Sequence, residues 1–137
     1  MSSKDRNQGI IEEFRANEGK VGGYFANTPL LLVHTTGAQS AKERVNPVAY
    51  FKEGDDYVII ASKGGAPSNP DWYYNLKANP QVSVEVGTET FEAHAEITQE
   101  PERSELFAKM AARNPYFAEY EQRTKRIIPV IKLRRLA

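Results

Sequence analysis

Two short turn signals constrain this chain more than any other feature. Glu53-Gly54-Asp55-Asp56 separates the alternating run 44–52 from the β-branched run 57–62, and Gly87-Thr88 separates Val82, Val84 and Val86 from Phe91, Ala93, Ala95 and Ile97. Strands joined by so few residues pair antiparallel, because a parallel return needs a crossover of a dozen or more residues. Residues 30–36 add a buried strand closed by Thr35-Thr36-Gly37, and residues 127–133 supply a last one. Six strands in 137 residues leave exposed edges unless the sheet closes on itself, so the expected class is α+β, a six-stranded antiparallel β-barrel with flanking helices.

The helices follow from spacing. Asn7 is placed to cap a helix whose Ile10, Ile11 and Phe14 share one face while Glu12, Glu13 and Arg15 face water, ending before Gly19. Gly22, Gly23, Tyr24 and Phe25 form a lead-in to Pro29. Asn69 is expected to cap a second helix over 71–79, with Pro70 at its first position and a stop at Pro80. Leu106, Phe107, Met110 and Ala111 mark a third over 101–113, and Asn114-Pro115 opens a short aromatic helix carrying Tyr116, Phe117 and Tyr120. Pro47 cannot donate to a ladder, so its strand is expected to be an edge or bulged. The chain reads as one domain, with residues 1–28 as helix and lead-in and 29–137 as barrel.

Composition narrows the function. Eighteen basic residues balance eighteen acidic ones, and there is no cysteine; disulfides and thiolate zinc sites are excluded, and nothing global favours nucleic acid. The longest apolar runs, 29–33 and 57–61, fall far short of the roughly 20 residues a bilayer needs, so the expected location is the cytoplasm, with at most weak peripheral membrane contact. His34 and His94 lie in different strands without partners at ligand spacing, which argues against a metal; His34 reads as structural and His94, between Glu92 and Glu96, as solvated. Ser40, Ser62 and Ser68 sit in no nucleophile elbow. The cations Arg123, Lys125, Arg126, Lys132, Arg134 and Arg135 read as a solvated strand edge.

Two loops after buried strands combine small residues with cations: Gly37-Ala38-Gln39-Ser40-Ala41-Lys42-Glu43-Arg44 and Ser62-Lys63-Gly64-Gly65. Small residues let backbone amides approach an anion that Lys and Arg neutralise; ordinary hairpin loops have the same composition, and both readings stand on spacing alone.

Longer strings decide more. Thr35-Thr36-Gly37, Arg44-Val45-Asn46-Pro47, Ala61-Ser62-Lys63-Gly64-Gly65 and Asn69-Pro70-Asp71-Trp72-Tyr73-Tyr74-Asn75-Leu76-Lys77-Ala78-Asn79-Pro80, in this order, resemble the deazaflavin-dependent nitroreductase and quinone reductase family. Glu12-Glu13-Phe14-Arg15-Ala16-Asn17 with Gly19-Lys20-Val21-Gly22-Gly23 is similar to that family's N-terminal signature, and Arg126-Ile127-Ile128-Pro129-Val130-Ile131 to its closing strand. The resemblance implies a split β-barrel like the FMN-binding ones, holding coenzyme F420 and passing hydride from its reduced form to an apolar acceptor such as a quinone or activated enone.

By the same resemblance, Ala38, Gln39, Ser40 and Arg44 meet the coenzyme's phosphate and glutamate tail; Lys42, outside the family's basic position, is expected to add charge there if the loop folds back. Val45, Asn46, Pro47, Val48 and Ala49 with Ile60, Ala61, Ser62 and Lys63 line the deazaflavin ring. Asp71, Trp72, Tyr73, Tyr74 and Asn75 close the groove, and Tyr116, Phe117 and Tyr120 face the acceptor. No side chain need be a catalyst, since the coenzyme supplies the hydride. The chain departs from the family where Ala38, Gln39 and Ala41 replace a basic pair and a glycine, and where Phe117 replaces a tyrosine. Other readings are a non-catalytic deazaflavin carrier and an FMN- or haem-binding barrel; the assembly is a monomer or homodimer.

Overall fold

Alternating strands and tight turns produce a closed sheet. The computed structural model describes residues 3–22 and 28–136; the aromatic lead-in around Tyr24 and Phe25 lies outside them. The elements run α1 (Ser3–Ala16), β1 (Leu30–Thr36), β2 (Glu43–Glu53), β3 (Asp56–Ile60), a 3-10 turn (Lys63–Gly65), α2 (Asp71–Ala78), β4 (Gln81–Val86), β5 (Glu89–Ile97), α3 (Glu102–Arg113), α4 (Tyr116–Arg123) and β6 (Val130–Arg135). All strand pairs are antiparallel, and the order β1-β2-β3-β6-β5-β4 closes through β4 onto β1.

The barrel is split at β2. Residues 43–49 pair with β1, with Pro47 opposite Leu32, whereas the ladder to β3 runs only from Tyr50 opposite Ile59 to Glu53 opposite Asp56. Pro47 thus occupies a stretch with a neighbour on one side only, where a missing N–H costs no second ladder bond. Beyond Tyr50 and Ile59 the two strands part, and their facing ends are residues 45–49 and 60–63.

Alternation sorts the side chains into two cores. Leu31, Val33, Tyr57, Ile59, Val84, Phe91, Ala93, Ile131 and Leu133 fill the barrel, and Trp72, Tyr73 and Leu76 of α2 pack against them. The opposite faces of β2, β3 and β6 present Phe51, Val58, Ile60 and Val130 to Leu106, Phe107, Met110 and Phe117 of α3 and α4. Leu30 and Leu32 receive Ile11 and Phe14 of α1. Burying those two α1 side chains contributes about 3–6 kcal/mol. The Arg15–Glu85 pair at 2.7 Å, with Arg15 half-exposed, adds no more than about 1 kcal/mol. The apolar stripe therefore holds α1, and the ion pair orients it.

Several boundaries differ from expectation. Residues before Asn7 tolerate helix, so α1 extends back to Ser3 and Asn7 lies within it rather than capping it. β3 ends at Ile60: Ser62 turns into the right-handed helical region and Lys63 takes φ 49°. β6 begins at Val130 rather than Ile127, because Pro129 cannot donate and only its carbonyl is used, accepting from Ala61 N at 3.0 Å. The hairpin β4–β5 keeps the expected wet face, and His94 is exposed on it.

Candidate functional site

A groove of about 810 Å³ runs between α1, the loop after β1, the start of β2 and the first turn of α2. Its anion-loop wall is built by local bonding. Gly37 N donates to the Lys42 carbonyl at 2.7 Å, Ala41 N to the Gly37 carbonyl at 3.0 Å and Lys42 N to Ser40 Oγ at 3.2 Å. A Cβ on Gly37 would lie 2.4 Å from Ser40 Oγ, and Ala41 takes φ 59° to complete the turn. The amides of Gln39 and Ser40 make no backbone bond among the described residues. Arg44 lines the groove, is exposed, and has neither an ion pair nor a side-chain hydrogen bond among those residues. Two available amides and an unpaired guanidinium on a rigid turn make a cradle for an anion.

Asn75 fixes this cradle. Its Oδ1 accepts from Ala38 N at 3.0 Å, and its Nδ2 donates to Thr35 Oγ1 at 3.2 Å inside the protein. Expected to close on a ligand, Asn75 spends its buried amide on the loop instead. Across the strand, His34 bridges two carboxylates, Nε2 to Glu85 at 2.5 Å and Nδ1 to Glu43 at 3.3 Å, which gives it the structural role expected. Arg15 grips Glu85 through two nitrogens. That hydrogen bond, opposed by burial and aided by His34, holds the Glu85 carboxyl below its usual range.

Of the residues picked out in the sequence, Ala38, Gln39, Ser40, Arg44, Val45, Asn46, Asp71, Tyr74 and Asn75 meet at the groove. The others lie elsewhere. Lys42 is exposed behind the loop. Pro47, Val48 and Ala49 continue along the split, Val48 against the barrel interior and Ala49 under the helices. Ile60 and Ala61 are buried, Ser62 is 8% exposed, and Lys63 Nζ reaches Ser68 Oγ at 3.3 Å. Trp72 and Tyr73 are core residues in the barrel. Phe117, expected at the acceptor, is 6% exposed in the α3–α4 core with Tyr120 edge-on against it, while Tyr116 is on the surface. Helical packing explains the correction: α4 needs one large apolar residue to anchor it in the buried cluster it shares with α3, and Phe117 is that residue.

Sequence reading missed the α1 wall of Asn7, Gln8 and Ile11, and it misplaced Arg126. Arg126 is not part of a solvated edge. Its guanidinium turns inward to three carbonyls and Asn69 Oδ1, and burial lowers its pKa. This contact also takes Asn69 away from the expected cap, leaving Pro70 at that position with no side-chain bond. Of the other cations, Lys132 pairs with Glu102, Arg134 with Glu96 and Arg135 with Glu89, while Arg123 lies over the Tyr120 ring and Lys125 is exposed.

Comparison with known proteins bears on the family and the fold. The profile of the F420H(2)-dependent quinone reductases matches residues 7–134. The chain belongs to this family. An F420H(2)-dependent quinone reductase of Mycobacterium tuberculosis strain H37Rv is 40% identical over 126 residues, covering 89% of this chain and 85% of that protein. The solved F420-H2-dependent reductase FDR-A superposes with a TM-score of 0.71 at 40% identity, over 77% of this chain and 93% of that one. A second solved chain, described as a domain-swapped dimer, has a TM-score of 0.72 at 35% identity and covers 96% and 99%.

The fold is the split barrel of the F420-dependent reductases, and the family is one of oxidoreductases that use reduced coenzyme F420. The residues present fit that coenzyme: the amides at Gln39 and Ser40 with Arg44 suit a phosphate, and the groove is of the size that takes an elongated cofactor. Among the described residues no group of His, Asp and Glu is arranged to hold a metal, and no helix is long and apolar enough to cross a membrane.

Proposed function

We propose that this protein transfers hydride from reduced coenzyme F420 to quinones or activated enones, with the coenzyme phosphate at the loop 37–44 and the ring in the split between residues 45–49 and 60–63. The observation that carries the reading is the anion cradle, an unpaired Arg44 beside open amides at the mouth of that split. The bound coenzyme supplies the hydride. The protein's own part is positional: Asn75 holds the loop, Arg44 neutralises the anion, and the parted strands offer a slot with apolar walls that keeps water from the ring. Lys63, at the head of the adjoining loop, adds a second cation on the ring side.

Ala38 and Gln39 carry no charge, so Arg44 bears most of the anion's charge at this loop. Arg44→Ala is expected to weaken F420 binding by about 1–3 kcal/mol, read by coenzyme fluorescence, with little change in rate at saturation. Gln39→Lys tightens binding at low salt. Steady oxidation of the reduced coenzyme by a quinone separates an enzyme from a carrier. Tighter binding of FMN or haem than of F420 overturns the reading.

A further inference from the structure

Arg126 carries donors and no acceptor. Its Nη1 lies 2.7 Å from Asn69 Oδ1 and 3.2 Å from the Ala61 carbonyl, its Nη2 2.7 Å from the Ser62 carbonyl and its Nε 2.9 Å from the Ala66 carbonyl. No carboxylate is among these partners. The guanidinium thus clamps a loop in which Lys63, a residue with a Cβ, is held at φ 49° and Gly65 supplies the turn at φ 83°.

The clamp also settles the direction of a second bond. Facing a group that only donates, the Asn69 amide must turn its oxygen toward Arg126 and its NH2 away. On that other side is the Tyr74 phenol, 3.4 Å from Nδ2. The phenol oxygen is therefore the acceptor of this bond, and its proton points elsewhere. Tyr74 makes no further hydrogen bond among the described residues, is 47% exposed, and lines the groove beside Asp71 and Asn75. Asn75 touches the anion loop at Ala38, and Tyr74 lines the same groove as Gln39, Ser40 and Arg44.

We infer that Tyr74 is a coenzyme-binding residue that donates a hydrogen bond to the phosphate of the coenzyme, and that Arg126 and Asn69 are positioning residues that fix the direction of that bond. The inference rests on the groove being the F420 site. It assigns a function to the polar chain Arg126–Asn69–Tyr74, which links the loop 61–69 to the groove, so the two sides of the split answer to one guanidinium.

The test is a fluorescence titration with oxidised F420 on the wild type, Tyr74→Phe, Asn69→Asp and the double variant. Tyr74→Phe keeps the ring and removes the proton, and Kd is expected to rise about five- to tenfold. Asn69→Asp keeps the acceptor for Arg126 but reverses the second bond, since its carboxylate accepts the phenol proton; Kd rises by a similar factor although the melting temperature is unchanged or higher. In the double variant the second substitution adds little, because both remove the same donor. A purely electrostatic effect of the new carboxylate would instead persist in the Tyr74→Phe background. Wild-type affinity in Tyr74→Phe, or an undiminished Asn69→Asp effect in that background, overturns the inference. Failure of the wild type itself to bind F420 overturns the assignment of the groove and the inference with it.

Discussion

Replacing Asn75 by alanine tests whether the anion loop is held from outside or holds itself. The residue is 9% exposed and Thr35 beneath it 1%. Asn75→Ala removes the bonds to Ala38 N at 3.0 Å and Thr35 Oγ1 at 3.2 Å, leaving the buried Thr35 hydroxyl without its partner while the N–H of the exposed Ala38 turns to water. One buried partner left unsatisfied and one bond exchanged for water cost about 1–3 kcal/mol, to be read from urea unfolding. The local contacts of the loop survive, but its tether to α2 is gone, so the Gln39 and Ser40 amides must be ordered by the ligand; F420 affinity falls about tenfold, roughly 1.4 kcal/mol. Thr35→Val is the control. It loses the buried Asn75–Thr35 bond, costing about 1–2 kcal/mol, yet keeps the bond to Ala38. Its affinity should match the wild type. If Asn75→Ala binds F420 normally, or Thr35→Val weakens binding as much as Asn75→Ala does, the tether is not what organises the loop.

Three other outcomes follow from the packing and charge. The Glu85 carboxyl is held low by Arg15 first and His34 next, so its stabilising contribution is present above the ordinary carboxylate pKa and disappears as pH falls through the folded-state value; Glu85→Gln should flatten that part of the acid limb in urea melts taken across pH. Gly65→Ala places a Cβ 2.8 Å from the Tyr120 carbonyl and the Arg123 Cβ at φ 83°, and a loss of about 1–3 kcal/mol in unfolding free energy is expected. Phe117→Tyr buries a hydroxyl in the α3–α4 core and should destabilise by about 1–3 kcal/mol while leaving the relative rates with a quinone and an enone unchanged; a shift in acceptor preference would return Phe117 to the substrate site.

The strands, their antiparallel pairing and the amphipathic helices were legible because each depends on neighbours within a few residues. Period-two alternation in residues 89–97, the turn at 53–56 and the stripe of Ile11 and Phe14 state their own geometry, and strings such as Thr35-Thr36-Gly37 and Ala61-Ser62-Lys63-Gly64-Gly65 identified the family, and with it the loop that forms the cradle. Closure of the sheet could be argued from edges, but which groups it brings together could not. Asn75 meets Ala38 across 37 positions and Arg126 meets Asn69 across 57. Asn69 had the composition of a helix cap, yet an arginine arriving from the far end of the chain took its amide oxygen. Phe117 had the composition of a pocket wall, yet α4 needed it to anchor in the buried cluster it shares with α3. An apolar stripe needs only a surface to cover, so its burial is readable from period alone. A polar side chain has several partners of similar strength within reach of its sequence, and the choice is made by the one that barrel closure places within 3 Å.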